Sequence, residues 1–429
     1  MSKRQRKQYS PGIQASPKTR TVTGLALLLL SACTETQRHD VDEAPIAEDA
    51  PSISAITSVA GPGSSAPNLA LTADGRPVLS WLQPSASGTA LRFAVLENNL
   101  WSEPQIIADG TDWFVNWADF PSVVPIDERR WAAHWLRKSG AATYAYDVVF
   151  SISDNAGATW TKGQVLHNDG TATEHGFVSL FPWQGGVGAA WLDGRETLSD
   201  GPQAAMTLRS AIIGRDGEVR QSEQVDERIC DCCQTDVALG TAGPLLVYRD
   251  RSTEEIRDIS LARYVEGSWS EPVRVADDNW EINGCPVNGP AIAASSDHVA
   301  VAWFTAANEQ PAVKLAFSAD DGTSFSEAIT LDGGQPIGRV DVLMPTADTA
   351  IVTWLTESGG DGAKIVAQRI GAAGLPGPRI DIAEVSAARL SGFPRQILYG
   401  DEIIIAFTDT TTDVTAVRTL RVPLTAFAP

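Results

Sequence analysis

Four cysteines in two short segments are the residues most able to form a chemical site in this sequence. Three lie in Cys230-Asp231-Cys232-Cys233, and the fourth lies in Gly284-Cys285-Pro286. In an oxidising compartment an even number of cysteines favours disulfides, here Cys285 with one of the clustered three and a strained pair such as Cys232-Cys233. Thiolates could instead bind copper or zinc, with His175 nearby, although the spacing matches no standard zinc motif. A redox-active pair is the third interpretation, because strained disulfides are easily reduced.

Charged residues elsewhere in the chain suggest a site for an anionic or sugar ligand. Carboxyl groups can act as acid or base in glycoside cleavage, and arginines bind carboxylate, sulfate or phosphate through paired hydrogen bonds. The candidate catalytic residues are Asp193, Asp250 and Glu174, and the candidate ligand-binding residues are His175, Arg195, Arg249, Arg251, Arg339 and Arg395. The same side chains could form ion pairs that join loops, so both interpretations stand. The chain contains no Ser-His-Asp elbow, phosphate-binding loop or His-Glu-x-x-His motif.

A repeat of 51 to 57 residues must position these side chains. Apolar strands such as Val187-Gly188-Ala189-Ala190-Trp191 recur along the chain and end on an aromatic residue. The seven aromatic positions are Trp81, Trp135, Trp191, Tyr248, Trp303, Trp354 and Phe407. A period of this length is typical of propeller blades.

Each repeat has the pattern of a four-stranded antiparallel sheet. A short strand and a turn such as Asp74-Gly75 precede the aromatic strand, and an edge strand such as Ser268-Trp269-Ser270-Glu271-Pro272 follows it. The sequence therefore predicts an all-β, seven-bladed β-propeller over residues 52–429, with a six-bladed propeller as the alternative. The last repeat lacks a fourth strand, so we expect residues 52–59 to complete it and close the ring.

One end of the propeller axis, which we call the mouth, collects the unusual residues. In each blade, the residues before the first strand and those after the aromatic strand emerge on the same side. The first group contains His175, Cys232, Cys285 and Arg339, and the second contains Asp193, Arg195 and Asp250. Because propellers bind ligands at such an end, we expect the site there. The cysteines fall on equivalent loops of neighbouring blades, so all four should lie close together.

Two turns resemble the Asp-box of the sialidase-like propeller superfamily. They are Ser318-Ala319-Asp320-Asp321-Gly322-Thr323-Ser324-Phe325 and Ser153-Asp154-Asn155-Ala156-Gly157-Ala158-Thr159-Trp160. The resemblance covers most of residues 52–425 and implies the propeller fold, with the boxes as structural turns on the face opposite the active site. It does not extend to catalysis. Where sialidases carry a Phe-Arg-Ile-Pro motif, this chain reads Ala66-Pro67-Asn68-Leu69, and neither the family's Tyr and Glu pair nor its arginine triad can be placed.

The N-terminal region resembles that of a bacterial lipoprotein. Six basic residues precede the apolar run 25–30, which is too short to span a bilayer, and Leu30-Ser31-Ala32-Cys33 resembles a lipobox. The resemblance implies cleavage before Cys33 and its acylation, with residues 1–32 as signal peptide and 33–51 as an acidic, flexible tether. Thr34 replaces the aspartate of an inner-membrane retention signal. We therefore expect a cell-envelope lipoprotein in the outer membrane of a Gram-negative bacterium.

The charge of the chain excludes some partners. The net charge is −20, and removal of residues 1–32 takes away 6 of the 33 basic residues and no acidic residue, which leaves −26. Such a surface repels nucleic acid and anionic membrane faces. We expect a small anionic ligand, a glycan or an envelope protein at the mouth, with membrane attachment through Cys33. The alternatives are a glycoside hydrolase acting on an acidic sugar, similar to an exo-sialidase, and a copper-binding, zinc-binding or thiol-redox periplasmic protein.

Overall fold

The computed structural model describes residues 52–201 and 204–428. The predictions for residues 1–51, which include the signal peptide, the tether and the lipidation of Cys33, lie outside these residues. The described chain forms seven antiparallel β-sheets, so the predicted seven-bladed propeller is confirmed and the six-bladed alternative is wrong. In the described part of the chain no helix is long and apolar enough to cross a membrane.

The strands are numbered in chain order and grouped by blade. Blade 1 contains β2 (Ser65–Leu71), β3 (Pro77–Ser85), β4 (Gly88–Glu97), β5 (Leu100–Trp101) and β6 (Gln105–Gly110). Blade 2 contains β7 (Ser122–Pro125), β8 (Trp131–Lys138), β9 (Tyr146–Ser153) and β10 (Gln164–Val165). Blade 3 contains β11 (His175–Trp183), β12 (Gly186–Asp193), β13 (Thr207–Ile213) and β14 (Val219–Asp226). Blade 4 contains β15 (Asp236–Leu239), β16 (Pro244–Arg249), β17 (Ile259–Val265), β18 (Ser268–Trp269) and β19 (Val273–Arg274).

The remaining blades follow the same plan. Blade 5 contains β20 (Ala291–Ser295), β21 (His298–Thr305), β22 (Ala312–Ser318) and β23 (Ile329–Asp332). Blade 6 contains β24 (Pro336–Thr346), β25 (Thr349–Gly359), β26 (Gly362–Gly371) and β27 (Pro376–Ser386). Blade 7 contains β28 (Arg395–Tyr399), β29 (Glu402–Asp409), β30 (Ala416–Pro423) and β1 (Ser54–Ile56). Short 3-10 helices lie at Arg195–Leu198, Ala307–Glu309, Arg389–Ser391 and Leu424–Phe427.

The second strand of each blade supplies the core between blades and carries the aromatic anchor. β12 and β16 are buried along their whole length, as expected for apolar strands covered on both faces. The anchors also satisfy their polar atoms. The indole N–H of Trp191 donates to Asp193 at 2.8 Å, and that of Trp303 donates to Asp278 at 2.7 Å. A buried indole requires such an acceptor, so these bonds hold the anchors in one orientation.

Strand β1 closes the ring. It pairs antiparallel with β30, with Ser54 opposite Arg421 and Ile56 opposite Thr419. The prediction that N-terminal residues complete the last blade is therefore confirmed. The first strands of neighbouring blades contact one another in succession around the axis, including β28 with β2.

Both Asp-box turns have the geometry that their sequence predicts. The hydroxyl of Ser318 donates to Asp320 at 2.7 Å and accepts the Gly322 amide at 3.0 Å, while Asp320 accepts the Ser324 amide at 2.9 Å. Gly322 has a φ of 74°, which glycine adopts without strain. The turn at 153–160 repeats this pattern with Asn155 in place of the aspartate. Both turns join a third strand to a fourth and lie on the face opposite the mouth.

The fourth strands of blades 2 and 5 differ from the prediction. The edge-strand pattern seen at Ser268-Trp269-Ser270-Glu271-Pro272 also predicts fourth strands at Thr159-Trp160 and Ser324-Phe325-Ser326-Glu327. In the structure β10 begins at Gln164 and β23 begins at Ile329. The aromatic residue of each box belongs to the turn and packs inward. Trp160 makes an edge contact with Phe93 in the neighbouring blade, with ring centroids 6.1 Å apart. Strand pairing resumes only after the turn is complete.

Candidate functional site

The candidate site lies at the mouth, on loops of blades 2 to 5. Strands alternate in direction, so the loops from second to third strands and those from a fourth strand to the next blade share this face. The site is built from segments 139–145, 166–174, 227–235, 250–258 and 275–290. A cleft of about 600 Å³ opens beside these loops, and we call it the Glu174 cleft. Its polar lining includes Thr143, Tyr144, Thr173, Glu174, Thr197, Asp231 and Arg251.

The four cysteines converge as predicted. The sulfur atoms of Cys230, Cys232 and Cys233 all lie within 4.8 Å of one another. Cys230 Sγ is 3.3 Å from Cys233 Sγ and 4.0 Å from Cys232 Sγ. Cys285 reaches the group from the next loop through a hydrogen bond with Cys232. All four are free in this structure, with Cys230 and Cys233 buried and Cys285 exposed.

The electrostatics of the cluster favour a thiolate at Cys230. Burial opposes ionisation, but hydrogen bonds from Cys232 and Cys233, together with the charge of Arg249, hold the pKa of Cys230 well below its usual value. The complementary effect raises the pKa of Cys232, because its thiol donates to neighbouring sulfurs. A hydrogen bond from Cys232 also lowers the pKa of Cys285. Low-pKa cysteines are the ones that act as nucleophiles and metal ligands.

The arginines beside the cysteines are engaged within the protein. Arg249 is 2% exposed and donates to the carbonyl oxygens of Asn288 at 2.9 Å and Phe304 at 2.6 Å. Arg251 pairs with Asp231 at 3.1 Å and with Glu255 at 2.7 Å. These contacts join the loops around the cysteine cluster.

Glu174 belongs to a hydrogen-bonded group with two residues of blade 2. The hydroxyl oxygen of Tyr146 lies 2.8 Å from Asp119 Oδ2 and 2.9 Å from Glu174 Oε1. Tyr146 and Asp119 are buried, whereas Glu174 is partly exposed. Burial raises the pKa of Asp119 to about 7 and that of Glu174 to about 8. Carboxyl groups with such pKa values exchange protons near neutral pH and are candidates for acid-base chemistry.

His175 lies in a second polar cluster, with Asp193 and Arg195. His175 stacks on His167, with ring centroids 3.6 Å apart and planes 7° from parallel. Its Nε2 atom is 3.2 Å from Asp169 Oδ2 and 3.7 Å from Asp193 Oδ1. Arg195 binds Asp193 through two nitrogens at 2.7 Å each and reaches Asp169 at 3.1 Å. The structure thus joins His175, Asp193 and Arg195 in one group of ion-pair contacts.

The other candidates lie apart from the Glu174 cleft. Asp250 accepts the Arg251 amide at 2.6 Å, and burial raises its pKa to about 6. Arg339 is 4% exposed, donates to the carbonyl oxygens of Ala388 and Gly392, and stacks on Trp117. Arg395 lines a central cavity of about 140 Å³ and pairs with Asp341 at 3.6 Å. The predicted arginines therefore do not form one constellation.

Several contributing residues were not named as site residues from sequence. Asp119 occupies the position before the first strand of blade 2 that His175 occupies in blade 3, so its place in the repeat could have revealed it. Tyr146, His167 and Asp169 carried no such signal, because they enter through loop geometry. Arg257 was likewise not among the candidates, yet its Nη1 lies 3.4 Å from Cys230 Sγ.

Comparisons with known proteins give only distant structural similarity. A scan against protein-family models gave no match, and a search of curated proteins found no relative. A solved structure of the Hadza microbial sialidase Hz136 is 12% identical to this chain, with a TM-score of 0.41. The alignment covers 68% of this chain and 63% of the sialidase, which is less than two thirds of its length. A mutant NanB sialidase from Streptococcus pneumoniae is 8% identical over 82% of this chain and 84% of that chain, with a TM-score of 0.45.

A third solved structure, the polysaccharide lyase Uly1, is 9% identical over 81% of this chain and 88% of that chain, with a TM-score of 0.49. The seven sheets and the two Asp-box turns decide the architecture. The fold is a seven-bladed β-propeller. The activities of these proteins are their own and are not transferred by such distant similarity.

Proposed function

We propose that this protein binds a soft metal ion, monovalent copper or zinc, at the mouth through Cys230, Cys232, Cys233 and Cys285. The observation that carries the proposal is the convergence of three sulfur atoms within 4.8 Å of one another. In a tetrahedral site with zinc–sulfur bonds of about 2.3 Å, neighbouring sulfurs are about 3.8 Å apart. The sulfur distances of 3.3 and 4.0 Å lie on either side of that value. Thiolates are the ligands that monovalent copper and zinc prefer.

The surroundings of the cluster support the binding of a metal thiolate centre. Four thiolates and one metal ion carry an excess of negative charge, which a buried site tolerates only with nearby positive groups. Arg257 is 2% exposed and contacts Cys230 directly, and Arg249 is equally buried. Cys285 is exposed, so the fourth ligand position lies at the protein surface, where a metal ion can enter or be transferred.

The same proposal places the protein in the bacterial cell envelope. The lipobox-like Leu30-Ser31-Ala32-Cys33 supports attachment to the outer membrane through a lipid on Cys33. A periplasmic thiolate site would need to remain reduced, and occupancy by metal protects thiolates from oxidation. Labelling of cells with a radioactive fatty acid tests the anchor, because the Cys33→Ser variant should lose the label. Retention of the label on that variant would rule out Cys33 as the lipidation site.

Metal titration tests the central proposal. The reduced protein, handled without oxygen, is titrated with monovalent copper against bicinchoninate and with zinc against a chromophoric chelator. One equivalent should bind, and Cys230→Ser or Cys233→Ser should weaken affinity by about tenfold or more. Cys33→Ser is the matched control and should bind as the wild type does.

A native mass spectrum of the protein purified without reductant provides the contrary outcome. Two disulfides would lower the mass by about 4 Da relative to the fully reduced chain. Such a mass, together with failure of the reduced protein to take up either metal, would replace the metal site by the disulfide interpretation.

A further inference from the structure

Two buried histidines stack on each other where the chain enters blade 3. His167 lies in the loop that leads from blade 2 to blade 3, and His175 begins β11. Their ring centroids are 3.6 Å apart, and their planes are 7° from parallel. Asp147 of β9 lies beside them, and one ligand atom from each of the three residues lies within 4.8 Å of the other two. Two imidazoles and a carboxylate at this spacing can bind a metal ion.

Hydrogen bonds decide which ring nitrogens carry the protons. Nδ1 of His167 lies 2.9 Å from Oδ2 of Asp169, and Nδ1 of His175 lies 3.3 Å from the carbonyl oxygen of Tyr146. Carboxylate and carbonyl oxygens only accept hydrogen bonds, so both Nδ1 atoms are donors. Nε2 of each neutral ring then carries a lone pair. Both Nε2 atoms are buried, and neither has a hydrogen-bond partner among the described residues.

Nε2 of His167 faces another acceptor. It lies 3.5 Å from Oδ1 of Asp147. A hydrogen bond between an imidazolium and a carboxylate is shorter, at about 2.7 to 2.9 Å. Two metal bonds of about 2.1 Å that meet at a tetrahedral angle hold their ligand atoms about 3.4 Å apart. The observed distance therefore fits a bound metal ion better than a hydrogen bond.

The charges around the two rings also favour a cation. Asp169 and Asp193 share one guanidinium, that of Arg195, at 3.1 and 2.7 Å. Nη2 of Arg137 lies 3.9 Å from Oδ2 of Asp147, which is too far for a hydrogen bond. The Asp147 side chain is 15% exposed, and a carboxylate this buried is normally paired closely or bound to a metal ion.

Asp193 is not available as a metal ligand, because both of its oxygens already accept hydrogen bonds. Its Oδ2 accepts the indole N–H of Trp191 at 2.8 Å and Nη2 of Arg195 at 2.7 Å. Its Oδ1 accepts Nε of Arg195 at 2.7 Å and the backbone amide of the same residue at 3.1 Å. The metal position therefore lies on the side of the histidine pair where Asp147 is found.

That side opens to solvent through a second cleft, of about 400 Å³. Its lining includes Asp147 and His167, together with the hydroxyl-bearing residues Ser139 and Thr171. A metal ion can enter through this cleft, and water or a small ligand can complete its coordination from the same side.

We propose that Asp147, His167 and His175 bind a divalent transition-metal ion of the class that includes zinc, cobalt and nickel. Asp169 holds Nδ1 of His167 and so directs Nε2 towards Asp147, as carboxylates do beside many metal-binding histidines. A metal ion lies close to the plane of each imidazole that binds it, so the two rings should turn out of their parallel stack on binding. This site has nitrogen and oxygen ligands and is independent of the proposed cysteine site.

Titration with divalent cobalt tests the proposal, because cobalt absorption differs between ligand types. Thiolate ligands give intense near-ultraviolet charge-transfer bands, whereas imidazole and carboxylate ligands give only weaker visible bands. The reduced protein is titrated without oxygen and without a chelator, since a competing chelator reports only the tightest site. The wild type should bind two equivalents, one with each signature.

Variants of the two ligands nearest the cleft should affect one signature alone. Asp147→Asn and His167→Gln should weaken binding of the equivalent that lacks thiolate bands by about tenfold or more, and should leave the charge-transfer bands unchanged. Asp297→Asn is the matched control, because Asp297 forms an exposed pair with Nδ1 of His298 at 2.9 Å. It should bind both equivalents as the wild type does. Circular dichroism spectra that match the wild type would show that each variant is folded.

The outcomes separate this site from the cysteine site. One equivalent with thiolate bands, unchanged in Asp147→Asn, would overturn the present proposal and leave the cysteine site standing. One equivalent without thiolate bands, weakened in Asp147→Asn, would support the present proposal and reject the cysteine site. Anomalous diffraction from cobalt-loaded crystals gives the position directly. A peak within bonding distance of His167 Nε2 and Asp147 Oδ1 is expected, and a second-equivalent peak away from both atoms would overturn the assignment.

Discussion

Nη1 of Arg257 lies 3.4 Å from Sγ of Cys230, and both side chains are almost fully buried. The second nitrogen of the guanidinium donates to Glu255 at 2.8 Å. Arg257 therefore connects the cysteine cluster to the ion pairs of the next loop, which include Arg251 and Glu255. Positive charge around the mouth is thus directed inward at sulfur and carboxylate groups. A thiolate cluster is the chemistry that this arrangement stabilises.

The exposure of the thiols predicts an order of alkylation. In the reduced, metal-free protein, Cys285 should react with iodoacetamide first, because it is the exposed member of the four. Cys230 and Cys233 should react only on unfolding. Bound zinc should protect Cys285 if that residue is the fourth ligand, and peptide mass mapping after timed quenching measures each rate. Unchanged labelling of Cys285 in the zinc-loaded protein would limit the site to the other three cysteines.

Arg195 is predicted to stabilise the fold by pairing with two buried carboxylates. Asp193 is fully buried and Asp169 nearly so, and the guanidinium contacts both. Arg195→Ala should lower the free energy of unfolding by roughly 3 kcal/mol, because it leaves uncompensated charge inside the protein. Urea unfolding measures the loss. Arg220→Ala is the control, since its ion pair with Asp216 is solvent-exposed and should contribute little to stability. Equal effects in the two variants would contradict the structural role of Arg195.

The architecture could be predicted from the sequence because it repeats. The aromatic anchors recur at a nearly constant interval, and each is buried at the same place in its blade, as Trp81, Trp191 and Trp303 show. Closure by the N-terminal strand followed from the missing fourth strand of the last repeat. The starts of β10 and β23 were predicted too early, because an aromatic residue in a turn has the same sequence pattern as one in an edge strand.

The site was predicted less completely, and the reason is geometric. Convergence of Cys230, Cys232 and Cys285 followed from equivalent loops on neighbouring blades. The partner of Glu174 is Tyr146, which lies at the start of a third strand and has no periodic signal. Sequence position likewise gave no means of knowing that Arg249 points at backbone carbonyls. Loops of different length decide such contacts, and a repeat pattern does not specify them.

Asp341 predicts a dependence of stability on pH. It is buried at the junction of blades 6 and 7, where it accepts the Val342 amide at 3.0 Å and the Gln396 amide at 2.8 Å. Burial raises its pKa from 3.8 to about 6, with Arg395 opposing and Asp236 reinforcing the shift. Between these values the folded protein binds more protons than the unfolded chain, so this contribution is complete below pH 3.8 and is lost as pH rises to about 6.

The Asp341→Asn variant isolates that contribution. We expect the wild type and the variant to differ less in free energy of unfolding as the pH rises. The difference, wild type minus variant, should fall by roughly 3 kcal/mol between pH 3.8 and about 6. Chemical denaturation measures this difference at pH values from about 3.5 to about 7, in steps of about half a pH unit. Asp341→Asn also removes one hydrogen-bond acceptor, which changes the free energy of unfolding of the variant by an amount that does not depend on pH. The pH dependence of the difference therefore still reports the ionisation of Asp341. A difference that does not change with pH would show that Asp341 titrates normally.

Ile56 tests whether the closing strand contributes to the stability of the whole ring. It is 5% exposed and packs in a cluster with Leu69, Trp81 and Ile404, so a single side chain connects the first and last blades. Ile56→Ala should lower the free energy of unfolding by about 2 to 4 kcal/mol through lost burial and the remaining cavity. Ser54→Ala, at an exposed position of the same strand, is the control and should have little effect. If β1 were only loosely attached, Ile56→Ala would leave global unfolding unchanged. In that case fast exchange of backbone amide hydrogens would be confined to β1 and its partner β30. If the closing strand stabilises the whole ring, Ile56→Ala should instead accelerate amide exchange in blades 1 and 7 together.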